Sequence, residues 1–487
     1  MFGRQANGDS FSNIMAPYAI AAVDIVALFL SLFLGQITHA FWYHVSATYT
    51  LFDWWGGPLG FINLLIFHLL IVVTLIAFFI LGHYARRKAF WDELKEIIQV
   101  ILFAAVLHFA IVFLGKWQLS RLWIFSTWTL ALLLVPLMRV LLKWTLLKTG
   151  IWRRSTVIIG TGQNAREAAL ALMSDPLSGF QLCAFLSPGR RACNSPIDSI
   201  PAMPMGDNPI ATLSSMNYPH VVVAMDMDQW QLEQPLIQQL SLSYRDLIIA
   251  PPMRGLPLFG LETLHFFSHE VLMLRVRNNL ARLGPQLLKR MFDVVCSGLL
   301  LITLSPLFAF VSLRILIEDG FPVFFTQERM GRYGKSFECY KFRSMVKNAD
   351  ELLEKWKTDH PERWNEYIKN NFKLRDDPRV LKVGKWMRRL SIDEFPQLWN
   401  VLKGDMSLVG PRPLLERELP WYGDHIQLYC EIRPGITGLW QISGRSETTF
   451  ADRASLDAWY IKNWSLWYDI VILLRTVKVV LLRKGAY

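Results

Sequence analysis

The sequence predicts a three-part chain: a bundle of four transmembrane helices, a soluble Rossmann-like α/β module, and a membrane-associated α/β domain with a re-entrant helix. Three observations carry this expectation. Four apolar runs of near-membrane length fill the first third of the 487 residues. A strand, glycine turn and helix pattern begins at Ser155. A fifth apolar run, Val294–Ile317, is interrupted by Ser305-Pro306 and carries positive charge on both flanks. The composition agrees, since 52% hydrophobic and only 19% charged residues are too apolar for disorder. The net charge of +11, from 51 basic and 40 acidic residues, suits anionic lipid heads, phosphates or nucleic acid. The five cysteines, Cys183, Cys193, Cys296, Cys339 and Cys430, form no C-x-x-C pair. A disulfide framework and a cysteine-rich metal site are therefore not expected.

The four runs are Tyr18–Ala40, Leu59–Gly82, Ile97–Gly115 and Leu122–Trp144. No small-residue cleavage signature precedes the first, so no cleaved signal peptide is expected. The Phe41–Gly60 loop has no Lys or Arg, whereas the next loop has Arg86, Arg87, Lys88 and Lys95, and Lys148, Arg153 and Arg154 come after the fourth run. The positive-inside rule then places both ends of the bundle in the cytoplasm. Asp24 and Arg139 are costly against lipid. They are expected to face the bundle interior or a partner, unless Arg139 snorkels to its helix end.

In the second part, 151–265, Thr156–Ile159 reads as a buried strand, Gly160–Ala165 as a tight turn and Arg166–Ser174 as a helix. Further strands are expected at Phe180–Leu186, His220–Ala224 and Asp246–Ala250, with a helix over Gln229–Ser241 and an irregular connection at Pro251–Gly260. Gly160-x-Gly162 is a candidate nucleotide turn, because glycine permits a diphosphate to approach the backbone. A dinucleotide site also wants an acid after the second strand, where the chain reads Ser187-Pro188. A structural or regulatory module is therefore expected ahead of a working NAD site. Asp226-x-Asp228 is either a hard-cation pair or a helix cap.

After a linker over 266–285 comes the third part, 286–487, with the re-entrant helix at about 287–317. Lys289 and Arg290 precede its break and Arg314, Arg329 and Arg332 lie beyond it, so a single span violates the charge rule at one end. A helix that dips in and returns satisfies both flanks, with Ser305 serving backbone groups that Pro306 frees, and a kinked span is the alternative. A charged helical patch is expected at Asn348–Asn370. The Leu466–Arg483 tail is expected either in the membrane interface or as an ordinary amphipathic core helix.

Chemistry-bearing residues are densest over Asp377–Leu414. Asp393 and Glu394 are adjacent carboxylates flanked by Arg388 and Arg412, a set suited to phosphoryl chemistry. On a helix, neighbours diverge by about 100°, so the two are expected to divide the roles of nucleophile and base or orienting group. Ser391-x-x-Glu394 also matches a capping box, the structural alternative for Glu394. Lys341 and Arg343 lie upstream, and Arg433–Gln441 supplies a Gly/Pro-shaped loop.

Tyr340–Met345, Asp377-Pro378-Arg379, Ser391–Leu398, Asn400–Pro413 and Pro434–Gln441 closely resemble the bacterial sugar transferases, the monotopic phosphoglycosyl transferase family. The resemblance covers about 287–487. With the four runs and the module, the whole chain resembles the polyprenyl-phosphate hexose-1-phosphate transferases. Asn463–Asp469 and Lys484–Tyr487 resemble the galactose branch of O-antigen assembly. The resemblance implies transfer of hexose 1-phosphate, galactose 1-phosphate first and glucose 1-phosphate as the alternative, from a UDP-hexose to undecaprenyl phosphate. UMP is released and Mg²⁺ is required. It implies Asp393 as nucleophile and Mg²⁺ ligand, and Glu394 as the group that activates or positions the second substrate. Lys341, Arg343, Arg388 and Arg412 are the implied phosphate binders, Asp469 and Gln441 further site residues, and Ser305-Pro306 the break of the re-entrant helix. It also implies a homodimer in the bacterial inner membrane, with a cytoplasmic α/β catalytic domain in contact with membrane lipids.

Two other readings compete. A membrane-tethered NAD-dependent dehydratase or epimerase wants Tyr-x-x-x-Lys after the glycine turn, but the pair found, Tyr84 and Lys88, precedes it. A non-enzymatic scaffold for polysaccharide export predicts no sugar-phosphate transfer. No nucleic-acid partner is expected, because no interleaved aromatic and basic repeat appears.

Overall fold

The computed structural model describes residues 10–44, 58–117, 120–188, 194–206, 208–216, 219–244, 247–253, 261–265, 272–276, 279–359, 362, 364–365, 377–443 and 449–481. Most of the Pro251–Gly260 connection, the end of the Asn348–Asn370 patch and the 482–487 terminus lie outside these residues. The chain divides into two compact units, Met1–Arg254 and Gly255–Tyr487.

The first unit opens with four helices, α1 (Ser10–Trp42), α2 (Pro58–Ile80), α3 (Phe90–Leu114) and α4 (Arg121–Lys148). By length and composition α1 over Met15–Trp42, α3 and α4 suffice to cross a membrane, and α2 carries the shorter apolar stretch Leu64–Ile80. Phe67, Ile101, Trp123, Trp128 and Val135 form the interior, while Phe103, Phe113, Phe125 and Leu133 point outward. That inside-out apolarity is what a lipid-facing bundle requires. At Gly35 a methyl group would lie 2.2 Å from Thr127 Oγ1, so glycine is what lets α1 and α4 touch.

Asp24 and Arg139 both turn inward. Arg139 Nε and Nη2 each donate to Asp24 at 2.6 Å, and its Nη1 donates to Glu93 at 3.0 Å and to His83 Nδ1 at 2.8 Å. Tyr84 adds a hydrogen bond to Asp24 at 2.8 Å, and Lys143 donates to Glu93. The same end of the bundle is tied to residues 152–177: Phe90 N donates to Asp175 at 2.7 Å, Trp152 Nε1 donates to Leu177 O at 2.8 Å, and Arg87 lies over the Trp152 ring.

The α/β module has strands β1 (Arg154–Ile159), β2 (Phe180–Ser187), β3 (Ala202–Pro204), β4 (His220–Val223) and β5 (Leu247–Ile249). They form one parallel sheet in the order β3-β2-β1-β4-β5, the doubly wound arrangement. Helices α5 (Gln163–Ser174), α6 (Pro209–Ser215), α7 (Met227–Leu232) and α8 (Gln234–Ser243) connect them. Val157, Ile159 and Val221 face one side, Ile158, Phe185 and Val222 the other, and both sides are buried. Continuous apolar strands are therefore expected here rather than alternating ones. The helix predicted over Gln229–Ser241 is two helices, because Pro235 lacks the N–H that would continue the first and stands in the opening turn of the second.

In the second unit β6 (Leu261–His265) and β7 (Leu272–Val276) pair antiparallel. Helices α9 (Leu283–Thr303) and α10 (Ser305–Asp319) come next, bent by 59° at Leu304. Pro306 has no N–H to give to residue 302, and Ser305 Oγ donates to the Ile302 carbonyl at 2.8 Å instead. Along α9 one face is polar and committed: Lys289 donates to Asp469 and Val409 O, Arg290 to the carbonyls of Val401 and Leu402, and Asp293 accepts from Ser407 and Leu408 N. The opposite face exposes Leu287, Leu288, Met291, Val295 and Leu299.

An antiparallel hairpin, β8 (Phe324–Met330) and β9 (Ser336–Phe342), leads to α11 (Ala349–Asp359), α12 (Lys382–Leu390) and α13 (Gln397–Lys403). Strand β10 (Ser407–Val409), helix α14 (Ile426–Glu431), strand β11 (Gly435–Thr437) and helices α15 (Leu439–Ser443), α16 (Phe450–Lys462) and α17 (Leu466–Leu481) complete the unit. The core gathers Met406, Leu408, Tyr460, Ile461 and Ile472. Ile472 makes the first half of the tail helix α17 a core helix, while Leu474 and Val477 are exposed.

Candidate active site

Helix α12 ends at Leu390 because Ser391 takes a left-handed conformation (φ 56°), and a single 3₁₀ turn, Ile392–Glu394, intervenes before Pro396 opens α13. Asp393 and Glu394 thus sit on a tight corner between two helices rather than on a regular α-helix. The Ser391 side chain makes no capping hydrogen bond. Glu394 instead accepts from Lys341 Nζ on β9 at 2.7 Å, so the capping-box reading of Ser391-x-x-Glu394 does not hold.

Asp393 receives no hydrogen bond from a described side chain. Partial burial and the negative charge of Glu394 push its carboxyl above the ordinary value, against the pull of Lys341 and Arg388. Arg388, in the last turn of α12, donates from Nε to Ser344 Oγ at 2.9 Å. The surrounding protein lowers its affinity for its proton, while Asp393 and Asp377 raise it, and its side chain still reaches solvent. Asp377 and Arg379 form a buried pair at 2.7 Å over the Trp356 ring. Burial would raise Asp377, but the hydrogen bonds and charge of Arg379 hold it below the usual carboxylate value. The Asp377-Pro378-Arg379 motif is therefore scaffold, set beside Arg388.

Arg412 stands after β10 in a loop fixed from every side. Gly435 N donates to Pro411 O at 2.7 Å, Arg329 Nη1 to Pro413 O at 3.1 Å, Leu414 N to the Tyr429 hydroxyl at 3.1 Å, and Met330 N to Leu414 O at 2.9 Å. At Gly435 a methyl group would meet Gly410 N at 2.1 Å, so only glycine lets parallel β11 run this close to the end of β10. Among the described residues none accepts a hydrogen bond from the Arg412 guanidinium. Arg329 and Arg453 are depressed first by burial and next by the charge of Arg412. Three guanidiniums thus share one neighbourhood, a favourable setting for a polyanion. Arg453 and Tyr429 are not singled out by the sequence, whereas Arg329 and Ser344 lie in its basic Gln327–Arg332 and Tyr340–Met345 segments.

Three sequence expectations are corrected by the geometry. Arg343 is not free to bind phosphate: its guanidinium donates to Pro322 O at 2.6 Å, to the Asp319 side chain and to the Asp319 and Gly320 carbonyls, closing the end of α10. Asp469 is fully buried and accepts from Lys289 at 2.7 Å, Tyr460 at 2.7 Å and Trp464 at 3.1 Å. It ties α9, α16 and α17 together and cannot touch a substrate. The Gly160 and Gly162 turn is already filled by Asp226, whose carboxylate accepts from Gln163 N and Asn164 N at 3.1 and 2.9 Å. Asp226 thus serves the N-terminus of α5 and makes no side-chain cap to α7, the helix it precedes. Gln441 donates to Ile436 O at 3.3 Å, at the corner between β11 and α15.

The profile of the family described as bacterial sugar transferase matches residues 284–483, the stretch that holds every group around Asp393. An undecaprenyl-phosphate galactose phosphotransferase of Salmonella typhimurium is 42% identical over 92% of this chain and 94% of its own length. The chain belongs to the bacterial sugar transferase family. Like other members of this family it is an enzyme, a phosphoglycosyl transferase. A UDP-galactose-lipid carrier transferase of Erwinia amylovora is 40% identical over 86% of the chain and 88% of its own length. An undecaprenyl-phosphate glucose phosphotransferase of Komagataeibacter xylinus is 40% identical over 41% of the chain and 37% of its own length. A second profile, described as CoA-binding domain, matches residues 65–251. The apolar helices and these transferase relatives make this sugar transferase a membrane protein.

Proposed function

We propose that this chain transfers hexose 1-phosphate from a UDP-hexose to undecaprenyl phosphate and releases UMP, with Asp393 as the nucleophile. The observation that carries the reading is the 3₁₀ corner. It presents Asp393 with no side-chain donor of its own, while Lys341 holds Glu394 aside and the charges of Lys341 and Arg388 reach Asp393.

In the first step an Asp393 carboxylate oxygen bonds to the phosphorus that bears the sugar. The bond from that phosphorus to the bridging oxygen breaks, and the bridging oxygen leaves with UMP. In the second step a phosphate oxygen of undecaprenyl phosphate attacks the same phosphorus. The bond to Asp393 breaks and the carboxylate is restored. One anhydride replaces another, so the exchange needs little driving force. Lys341, Arg388 and Arg412 neutralise charge that would otherwise repel an anionic nucleophile, and Glu394 orients the incoming phosphate. Among the described residues no third His, Cys, Asp or Glu joins the dyad in a cage. That donor set fits Mg²⁺, which binds one or two carboxylates together with substrate phosphates, and Asp393 is the residue that would hold it. When bound, the ion supplies charge neutralisation on the diphosphate.

The 59° bend with its apolar outer face supports a re-entrant α9–α10 that seats the corner at head-group depth, where a lipid phosphate resides. With α2 counted as a fourth span, the catalytic unit lies on the cytoplasmic side of the inner membrane. The galactose relatives covering most of the chain favour UDP-galactose over UDP-glucose, and a homodimer is the expected assembly.

The test uses the full chain in lipid nanodiscs with undecaprenyl phosphate and Mg²⁺, and monitors UMP release from UDP-galactose and UDP-glucose. The native chain is expected to release UMP, faster from UDP-galactose, and to show a phosphosugar adduct by intact mass when the acceptor is omitted. Asp393→Asn is expected to do neither. Full activity in Asp393→Asn would overturn the nucleophile assignment, and preference for UDP-glucose would overturn the choice of hexose.

A further inference from the structure

The turn between β1 and α5 has the glycine spacing of a diphosphate cradle, and its residues fall within the match to the CoA-binding domain. In such a turn, glycines leave room for phosphate against the helix N-terminus. Here that room belongs to the chain itself. A methyl group at Gly162 would lie 1.7 Å from Asp226 Oδ2, and one at Gly160, whose φ is +133°, would lie 2.2 Å from the Ala224 carbonyl oxygen. The Asp226 carboxylate bridges the first two amides of α5, Gln163 N at 3.1 Å and Asn164 N at 2.9 Å. The Asn164 side chain closes the remaining side, donating to Met225 O at 3.0 Å and Ala250 O at 2.8 Å. The position after β2 where a ribose-binding acid belongs holds Ser187, whose hydroxyl turns to the adjacent Pro188 carbonyl.

We infer that Asp226 is the built-in occupant of this turn's anion position. The residues present do not fit the diphosphate of CoA or of a dinucleotide, and the α/β module binds neither there. Both glycines are needed because β4 and its adjoining turn press against β1 and α5, a packing role that asks for the same small residues as a phosphate site. The inference is independent of the transfer reaction, since none of these residues belongs to the catalytic unit.

Hydrogen–deuterium exchange on the full chain in nanodiscs reads the two amides directly. In the native chain the amides of Gln163 and Asn164 are expected to be protected without ligand and unchanged by millimolar CoA or NAD⁺. In Asp226→Ala they are expected to exchange faster by about tenfold or more, as loss of a charge-assisted hydrogen bond implies. Inorganic phosphate is expected to restore the protection and to raise the melting temperature of this variant more than that of the native chain. The native comparison removes the general stabilisation that phosphate gives any fold. CoA or NAD⁺ protecting Gly160–Asn164 in the native chain would overturn the inference. So would an Asp226→Ala chain whose amides stay protected, or one on which phosphate acts no more than on the native chain. Should Asp226→Ala fail to fold, Asp226→Asn keeps one acceptor and the side-chain volume. It is expected to lose protection at one of the two amides, and equal protection at both would overturn the inference.

Discussion

Two regions of this protein handle charge in opposite ways, one buried in the bundle and one partly open to solvent. At one end of the helical bundle Asp24, Glu93, Arg139 and Lys143 are matched to one another, with Tyr84 completing the set around Asp24. In the catalytic unit the match is incomplete. Asp393 has no described side-chain donor, Arg388 is tied through one nitrogen to Ser344, and Arg412 crowds Arg329 and Arg453 with no described acceptor. Matched charges in a poorly solvated interior hold structure together, whereas unmatched ones weaken the fold and are kept where a ligand completes them. The difference is between charges that stabilise the chain and charges that await a substrate.

Mutations on each side should separate the two kinds. Arg139→Ala leaves Asp24 and Glu93 buried without their guanidinium and is expected to cost about 3–5 kcal/mol, enough to prevent assembly of the bundle. Thermal unfolding in nanodiscs checks this. Replacing Asp24 and Arg139 together by Leu and Met should recover most of the loss. A single Arg139→Ala chain that melts like the native one would remove the distinction. Arg412→Ala is expected to do the reverse, with melting unchanged or slightly raised while UMP release falls by about 10²–10³-fold, the scale of losing one positioned donor to a developing anion. A melting loss with activity intact would make Arg412 structural.

Arg343 and Arg388 sharpen the contrast inside one unit. Both are expected phosphate binders, but Arg343 serves the end of α10 with all of its guanidinium nitrogens, while among the described residues Arg388 donates from one nitrogen. Arg343→Met is expected to destabilise by about 2–3 kcal/mol through its lost charged hydrogen bonds, with an unchanged KM for the donor sugar nucleotide. Arg388→Met is expected to raise that KM or lower kcat while leaving melting near native. Exchange of the two phenotypes would reverse the assignment.

Legibility in the sequence divides along the same line. The apolar runs, the parallel strands and the helix break at Pro306 are legible because each rests on a local signal: length, buried β-branched runs, or a missing N–H. Asp393, Glu394, Lys341, Arg388 and Arg412 are legible as residue types in a dense motif. What distinguishes Arg388 from Arg343 is not, because the carbonyls of Asp319, Gly320 and Pro322 reach Arg343 only after the chain has turned back on itself. Asp469 reads as a site acid for the same reason: its partner Lys289 is 180 residues away. Asp226 and the glycine turn are separate features of the sequence, and only the pairing of β1 with β4 brings them together.

Asp457 shows a third way to hold a charge inside a protein, which is not to carry it. It lies on α16 with its Oδ2 accepting from the Tyr422 hydroxyl at 2.8 Å, and burial pushes its carboxyl up to about 7. Its surroundings are phenolic: Tyr429 packs against Tyr422, and Tyr460 lies on the same helix, while the charge of Arg412 reaches Tyr422. In the unfolded chain the same group titrates near the ordinary aspartate value of 3.8. Between these two values the folded chain therefore holds a proton that the unfolded chain has released, so stability is greatest below the lower value and declines as pH rises toward the upper one. The slope is at most one proton, about 1.4 kcal/mol per pH unit, and it ends once Asp457 ionises in the folded state. Asp457→Asn keeps the shape and removes the proton. The difference in melting between native and variant chains, measured from pH 4.5 to 8, is expected to shift steadily in the variant's favour up to about pH 7 and then level off. Parallel curves would mean that Asp457 is charged in the fold after all, and that Tyr422 alone suffices to hold a buried carboxylate.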